Sequence, residues 1–413
     1  MALDLILRNA RLADEAGAFD IGIAAGRIAA IEPHIAAETR EERLESRLVV
    51  PGFVESHIHL DKSCILDRCS PEHRNLQHAI KEVAAAKCAF THEDICSRSQ
   101  RTLEKAIAHG TMYMRAHTEV DPRVGLRAFE AMQRLQHDYA WGIDLEICVF
   151  PQEGLINDPG AEELLIAACE RGADLIGGCP YTDSDPHEQM ARIFAIARRF
   201  DLDIDFHLDF DLDPSWMHVD EVCRQTDEHR YGGRVTVGHA TKLSMLRSQD
   251  LADAARRLAD AGVAVTVLPA TDLFLLGREH ASGAPRAVAP AHRLVEHGVA
   301  CAIATNNVLN PFTPFGDCSL LRMANLYANI AQIGGASELA ACFDMITTLP
   351  AKMMNLTDYG IAVGKPADLL VLDCNDRSAA IAEIATPLFG IKRGRRSFER
   401  SAPRLIPPCS EKI

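Results

Sequence analysis

No stretch of this 413-residue chain stays apolar over the roughly 20 residues that a membrane-crossing helix needs, and no tract is of low complexity. The first residues turn acidic at Asp4 and run into an alternating apolar pattern, with none of the hydrophobic core that marks a secretory signal. Thirteen cysteines include no CxxC pair and no zinc-ribbon spacing, which excludes a disulfide framework and makes them small buried hydrophobes in a reducing compartment. Basic charge is also short: 43 Lys and Arg against 58 Asp and Glu leave a net charge of −15, with the acids spread along the chain. That balance argues against a nucleic-acid or anionic-membrane partner and for a small neutral or cationic ligand. The expectation is a cytoplasmic protein.

What is present is enough apolar content, 47%, to bury a large core. Residues 1–50 carry short β patterns at Leu3–Arg8, Ile21–Ala24 and Ile28–Ile31, and Gly364-Lys365-Pro366-Ala367-Asp368 introduces the apolar strand Leu369–Leu372. Between them apolar strands recur at Val49–His59, Met112–His117, Leu145–Phe150, Asp174–Gly178, Asp203–His207, Val235–His239, Ala264–Leu268 and Ala300–Thr305. They alternate with helical spacing at Ala161–Arg171, His187–Arg199, Leu251–Gly262 and Ala291–Gly298. Eight βα units predict an α/β fold of the (β/α)8 barrel type over residues 51–358, with 1–50 and 359–413 forming a small β-sandwich. A doubly wound open sheet is the alternative.

In a parallel barrel the reactive groups sit at the C-terminal ends of the strands. His57, His59, His117, Gln152, His207, His239 and Asn306 all fall at or just past such ends. A single histidine there is most often a satisfied core or loop residue, but five on one rim point to chemistry. His57 and His59 are two apart on a strand, so both side chains face one side and can share an ion. Gln152 carries both a donor and an acceptor, which suits an N–C=O ring edge.

The segment Pro51-Gly52-Phe53-Val54-Glu55-Ser56-His57-Ile58-His59-Leu60-Asp61-Lys62-Ser63 resembles the first barrel strand of the amidohydrolases. Val149-Phe150-Pro151-Gln152-Glu153-Gly154 and Asn307–Gly316 are similar to segments of the cytosine deaminase and N-isopropylammelide amidohydrolase branch. The resemblance runs from the N-terminal sheet to Gly364–Leu372. It implies one divalent ion, zinc or iron, on His57, His59 and His207, with His239 polarising substrate or water and Gln152 binding the ring. It further implies a homo-oligomer that hydrolyses a C–N bond of a nitrogen heterocycle such as an aminopyrimidine or aminotriazine.

Two positions depart from that pattern. Where the family ends its eighth strand with an aspartate, this chain has Asn306, whose amide can touch an ion but cannot accept a proton. Where cytosine deaminases carry a glutamate three residues after the fifth-strand histidine, this chain has Phe210. Asp209, two beyond His207, is the candidate catalytic substitute if the strand continues, with Asp211 and Asp272 as further proton acceptors. Two other functions stay open: opening of a cyclic amide, and a metal-binding barrel of impaired catalysis. The segment Leu276–Ala289 is expected to form a lid.

Overall fold

The computed structural model describes every residue except Met1, Asp14, 71–74, 402, 404, 405 and 407–413. Its strands fall into two sheets. The first is mixed and draws on both ends of the chain: β1 (Leu5–Leu12), β2 (Phe19–Ala24), β3 (Arg27–Glu32), β4 (Glu41–Arg43) and β5 (Leu48–Pro51) join β14 (Leu369–Leu372), β15 (Pro387–Lys392) and β16 (Arg395–Glu399). One link between the two ends is the antiparallel pairing of β5 with β14, which sets Val49 opposite Val371. The strands are linked in one path, β16-β15-β14-β5-β1-β2-β3, with β4 beside β1.

The second sheet is parallel and strictly sequential: β6 (Phe53–Ile58), β7 (Thr111–Glu119), β8 (Asp144–Phe150), β9 (Leu175–Gly178), β10 (Asp203–Leu208), β11 (Val235–His239), β12 (Val263–Val267) and β13 (Cys301–Ile303). Its two edges meet, because the backbone N–H of Asn306 donates to the His57 carbonyl at 2.8 Å and that of His59 donates to the Asn306 carbonyl at 2.8 Å. A nearly closed parallel barrel results, and the sequential order excludes the doubly wound alternative. The strands run as continuous buried stretches because helices cover their outer face.

Local chemistry sets the helix starts. Asn75 accepts from the His78 amide ahead of Leu76–Lys87, Thr91 from the Asp94 amide ahead of His92–Ala108, and Asp185, followed by Pro186, from the Glu188 amide. The mixed sheet has its own core of Leu7, Ile21, Ile23, Val49, Leu369 and Ile391. A buried polar joint ties it to the barrel: Lys392 Nζ reaches the Met112 carbonyl, Asp144 and Asp368, and the Tyr113 hydroxyl donates to Asp368 at 2.6 Å. The stretch Leu276–Ala289 has no helix or strand; Arg278–Ala284 is exposed, whereas Ala287, Val288 and Ala289 are buried. No helix among the described residues is long and apolar enough to cross a membrane.

Candidate metal and catalytic centre

Alternation along β6 turns Glu55, His57 and then His59 to the barrel interior, where each is almost wholly buried. His207 arrives from the end of β10, and its Nε2 stands 3.2 Å from the Nε2 of His59. The other nitrogen of His59 lies 3.1 Å from the His117 carbonyl. A carbonyl only accepts, so Nδ1 carries the hydrogen and Nε2 keeps its lone pair. Among the described residues His57 has no hydrogen-bond partner on either nitrogen. Room for its ring depends on Gly238, whose missing Cβ would stand 3.1–3.2 Å from the imidazole.

The potential ligand atoms of His57, His59 and His207 lie within 4.8 Å of one another. Burial first, and then the neighbouring imidazoles, with Lys62 acting on His59 and His207, push all three pKa values well below the ordinary histidine value. Three neutral rings with nitrogens this close together fit a divalent cation, which would supply the contacts that the barrel withholds.

Asn306 sits beside this trio, in the left-handed region at φ 66°, which asparagine tolerates. Its backbone closes the barrel, and neither atom of its buried amide has a partner among the described residues. His239 comes from the end of β11 and is fixed by Asp272, with Nδ1 to Oδ1 at 2.6 Å. Asp272 lies in the first turn of the helix Pro269–Leu275, and its Oδ2 accepts from the Leu268 amide, so this residue both steadies the helix start and orients a histidine. The Phe210 ring lies over His239 at 3.9 Å between centroids.

Asp209 does not face the trio. The prediction assumed that the strand alternates past His207, but β10 ends at Leu208 and Asp209 turns to φ 49°. Its carboxylate accepts from the His218 amide at 2.9 and 3.1 Å and the Val219 amide at 3.2 Å, at the start of the helix Val219–His229. Asp211 is half-exposed and pairs with Lys242 at 3.1 Å.

Gln152 is buried near the same barrel end, with its amide already engaged: Oε1 accepts from Lys62 Nζ at 3.0 Å, and Nε2 points to Cys179 Sγ at 3.4 Å. Lys62 Nζ also donates to Glu119 at 2.6 Å and lies 4.5 Å from the Phe312 ring centre. Beneath the histidines, His117 stacks on His57 at 3.6 Å and approaches Asp205 at 3.4 Å, while Arg115 holds the other Asp205 oxygen at 2.9 Å. Glu55, Arg115 and Asp205 were missed by the sequence reading, although a signal existed. Each lies two residues before a singled-out histidine, and a charge inside an apolar strand at that spacing must share its face.

A family model described as the amidohydrolase family matches residues 43–143 and 129–395. The chain belongs to the amidohydrolase family. It is thus a hydrolase of carbon–nitrogen bonds other than peptide bonds. It is 30% identical over 403 residues to N-isopropylammelide isopropyl amidohydrolase of Pseudomonas sp. (strain ADP), covering 95% of this chain and 96% of that one. Pterin deaminase of Rhizobium rhizogenes is 27% identical over 391 residues, covering 93% and 88%. Among solved structures, 5-methylcytosine deaminase from Klebsiella pneumoniae liganded with phosphonocytosine superposes with a TM-score of 0.93 at 27% identity, over 97% of this amidohydrolase and 100% of that chain.

Proposed function

We propose that this amidohydrolase removes an amino or alkylamino group from a nitrogen heterocycle, an aminopyrimidine, an aminotriazine or a fused relative, using one zinc or iron ion. The observation that carries the reading is the approach of His59 Nε2 and His207 Nε2 to 3.2 Å, beside a His57 whose nitrogens have no hydrogen-bond partner among the described residues. These three side chains would hold the ion, with the Asn306 amide oxygen as a weak neutral neighbour. A bound ion would supply a water acidic enough to attack at neutral pH.

The remaining work falls to the chain's own groups. With Asp272 accepting from Nδ1, His239 keeps a free Nε2 that takes the proton of the attacking water and returns it to the departing amine. Asn306 cannot take that proton and Phe210 cannot relay it, so the His239–Asp272 pair replaces both acids of the related deaminases. Asp209 is left out of the reaction because its carboxylate is occupied by the helix start. Gln152 and Lys62 meet the ring edge opposite the scissile bond. An apolar cavity of about 310 Å³, lined by Ala270, Leu273, Phe274 and Phe315 and reaching Thr305 and Asn307, offers room for an alkyl substituent. The same reading includes a closed (β/α)8 barrel over residues 51–358, flanked by 1–50 and 359–413, in a cytoplasmic enzyme.

Metal analysis of the purified protein beside an ammonia- and amine-release screen on aminopyrimidines, aminotriazines and pterins tests this proposal. About one ion per chain with amine release supports it. An ion with ring opening but no released amine moves the activity to cyclic amides. A second reading, impaired catalysis, is favoured by Asn306 and Phe210 standing where the related deaminases carry acid groups. It predicts that N306D gains turnover, whereas the His239–Asp272 route predicts no gain.

A further inference from the structure

Beside the histidines lies a second buried cluster for which the reaction has no use. Glu119 ends β7, Asp121 follows it, and Glu153 follows β8; their oxygens lie within 4.8 Å of one another, close enough to surround a cation. The cation there is a side chain. Lys87, the last residue of the helix Leu76–Lys87, is 2% exposed, and its Nζ stands 2.6 Å from Glu119, 2.5 Å from Asp121 and 2.6 Å from Glu153. Burial alone would lower the pKa of that ammonium, but the three carboxylates outweigh it and lift it above the ordinary lysine range.

The cluster connects directly to the proposed ring-binding edge. The Glu119 oxygen not facing Lys87 holds Lys62 at 2.6 Å, and Lys62 holds the Gln152 oxygen at 3.0 Å. Glu153, gripped through both oxygens at 2.6–2.7 Å, is the residue next to Gln152. Lys87 therefore acts on the pair from two sides, on Lys62 through Glu119 and on Gln152 through the backbone of its neighbour. Arg123 adds an outer contact, 3.7 Å from Glu153 and 2.7 Å from Asp158, but it is 30% exposed and is not bonded to Lys62 or Gln152.

We infer that Lys87 is a positioning residue: an internal ammonium that takes the place a metal could occupy among three carboxylates and so sets the spacing of Lys62 and Gln152, which selects the substrate's ring edge. The last step rests on the reading of Lys62 and Gln152 as edge-binding groups; the first does not. Lys87 itself meets no substrate.

The test compares the metal-loaded wild type with K87M, which keeps the length but not the charge, and with K87A supplied with ethylammonium, which can refill the vacated space. Hydrogen exchange is followed by mass spectrometry over residues 119–122 and 151–158, and KM and kcat are measured on the heterocycle that releases amine fastest. In K87M, exchange in those two segments should accelerate about tenfold with the remaining peptides unchanged. The KM should rise about 10- to 100-fold while kcat falls less than about threefold, and ethylammonium should reverse most of the KM change in K87A. E153Q should move KM in the same direction by a smaller factor. Unchanged exchange in K87M, acceleration spread over the whole chain, or a folded K87A indifferent to ethylammonium would each overturn the inference. If the wild type releases amine from nothing, the hydrolytic reading fails by itself and the exchange comparison still decides the role of Lys87.

Discussion

Two buried polar clusters stand side by side at one end of the barrel and are built on opposite rules. Among the carboxylates, Glu119 and Glu153 share the Lys87 ammonium, which also meets Asp121, and Glu119 is bound again by Lys62. Among the imidazoles, the nitrogens of His57 and the neighbouring amide of Asn306 have no hydrogen-bond partner among the described residues. Leaving a buried polar atom unpaired costs on the order of 1–3 kcal/mol, so several of them facing one another point to something outside the chain that would complete them. The paired cluster is finished by the sequence itself; the unpaired one is where the proposed ion would bind.

The comparison is broken most severely at the imidazoles. H207A should lose the bound ion and with it turnover, by about a thousandfold or more, while its secondary structure by circular dichroism stays that of the wild type. Next comes the proton route: D272N should retain the ion yet lose about 10²- to 10³-fold in kcat, because the neutral amide no longer orients and supports His239. Steady-state kinetics with metal analysis on the same preparation separates the two cases.

Reading the sequence reached the barrel and the histidines because both follow simple periods. Apolar strands alternating with helices specify parallel strands, and their number, eight, favours a barrel over a doubly wound sheet; a spacing of two specifies one face, which is why His57 and His59 meet. The same rule misled at Asp209, where the backbone leaves the strand at φ 49° and the carboxylate swings to the helix start at His218 and Val219. Periodicity also says nothing about partners distant in the chain. Lys87 belongs to a helix outside the strands, and only the fold brings it to Glu119, Asp121 and Glu153, so a lysine in a helix reads as a solvated one. Asn306 was visible as a departure from a pattern; that its backbone also closes the barrel onto His57 and His59 depends on the meeting of β6 and β13.

The paired cluster can be perturbed by pH. Burial would raise the Glu119 carboxyl, but Lys62 and Lys87 outweigh it and hold its pKa down at about 2, against 4.5 for an ordinary glutamate. The native state then binds this proton more weakly than the unfolded chain does. The pair's contribution to stability is therefore present above pH 4.5 and is lost as pH falls toward 2. Denaturant titrations across that range should give a flatter acid slope for E119Q than for the wild type, together with lower stability at pH 7. The smallest effect is expected outside both clusters: D209A should cost about 1 kcal/mol through the lost helix cap, with turnover unchanged. A large loss of turnover in folded D209A would return that carboxylate to the reaction.

The most direct test is the metal itself. The metal-free protein is titrated with cobalt(II) beside H59A, following the visible absorption of a low-symmetry nitrogen-bound ion. The account predicts one tight equivalent per chain in the wild type, with the spectrum lost in H59A and kept in K87M. A wild type that takes up no cobalt, or an H59A variant that binds it as tightly, would contradict the assignment of the unpaired imidazoles to an ion.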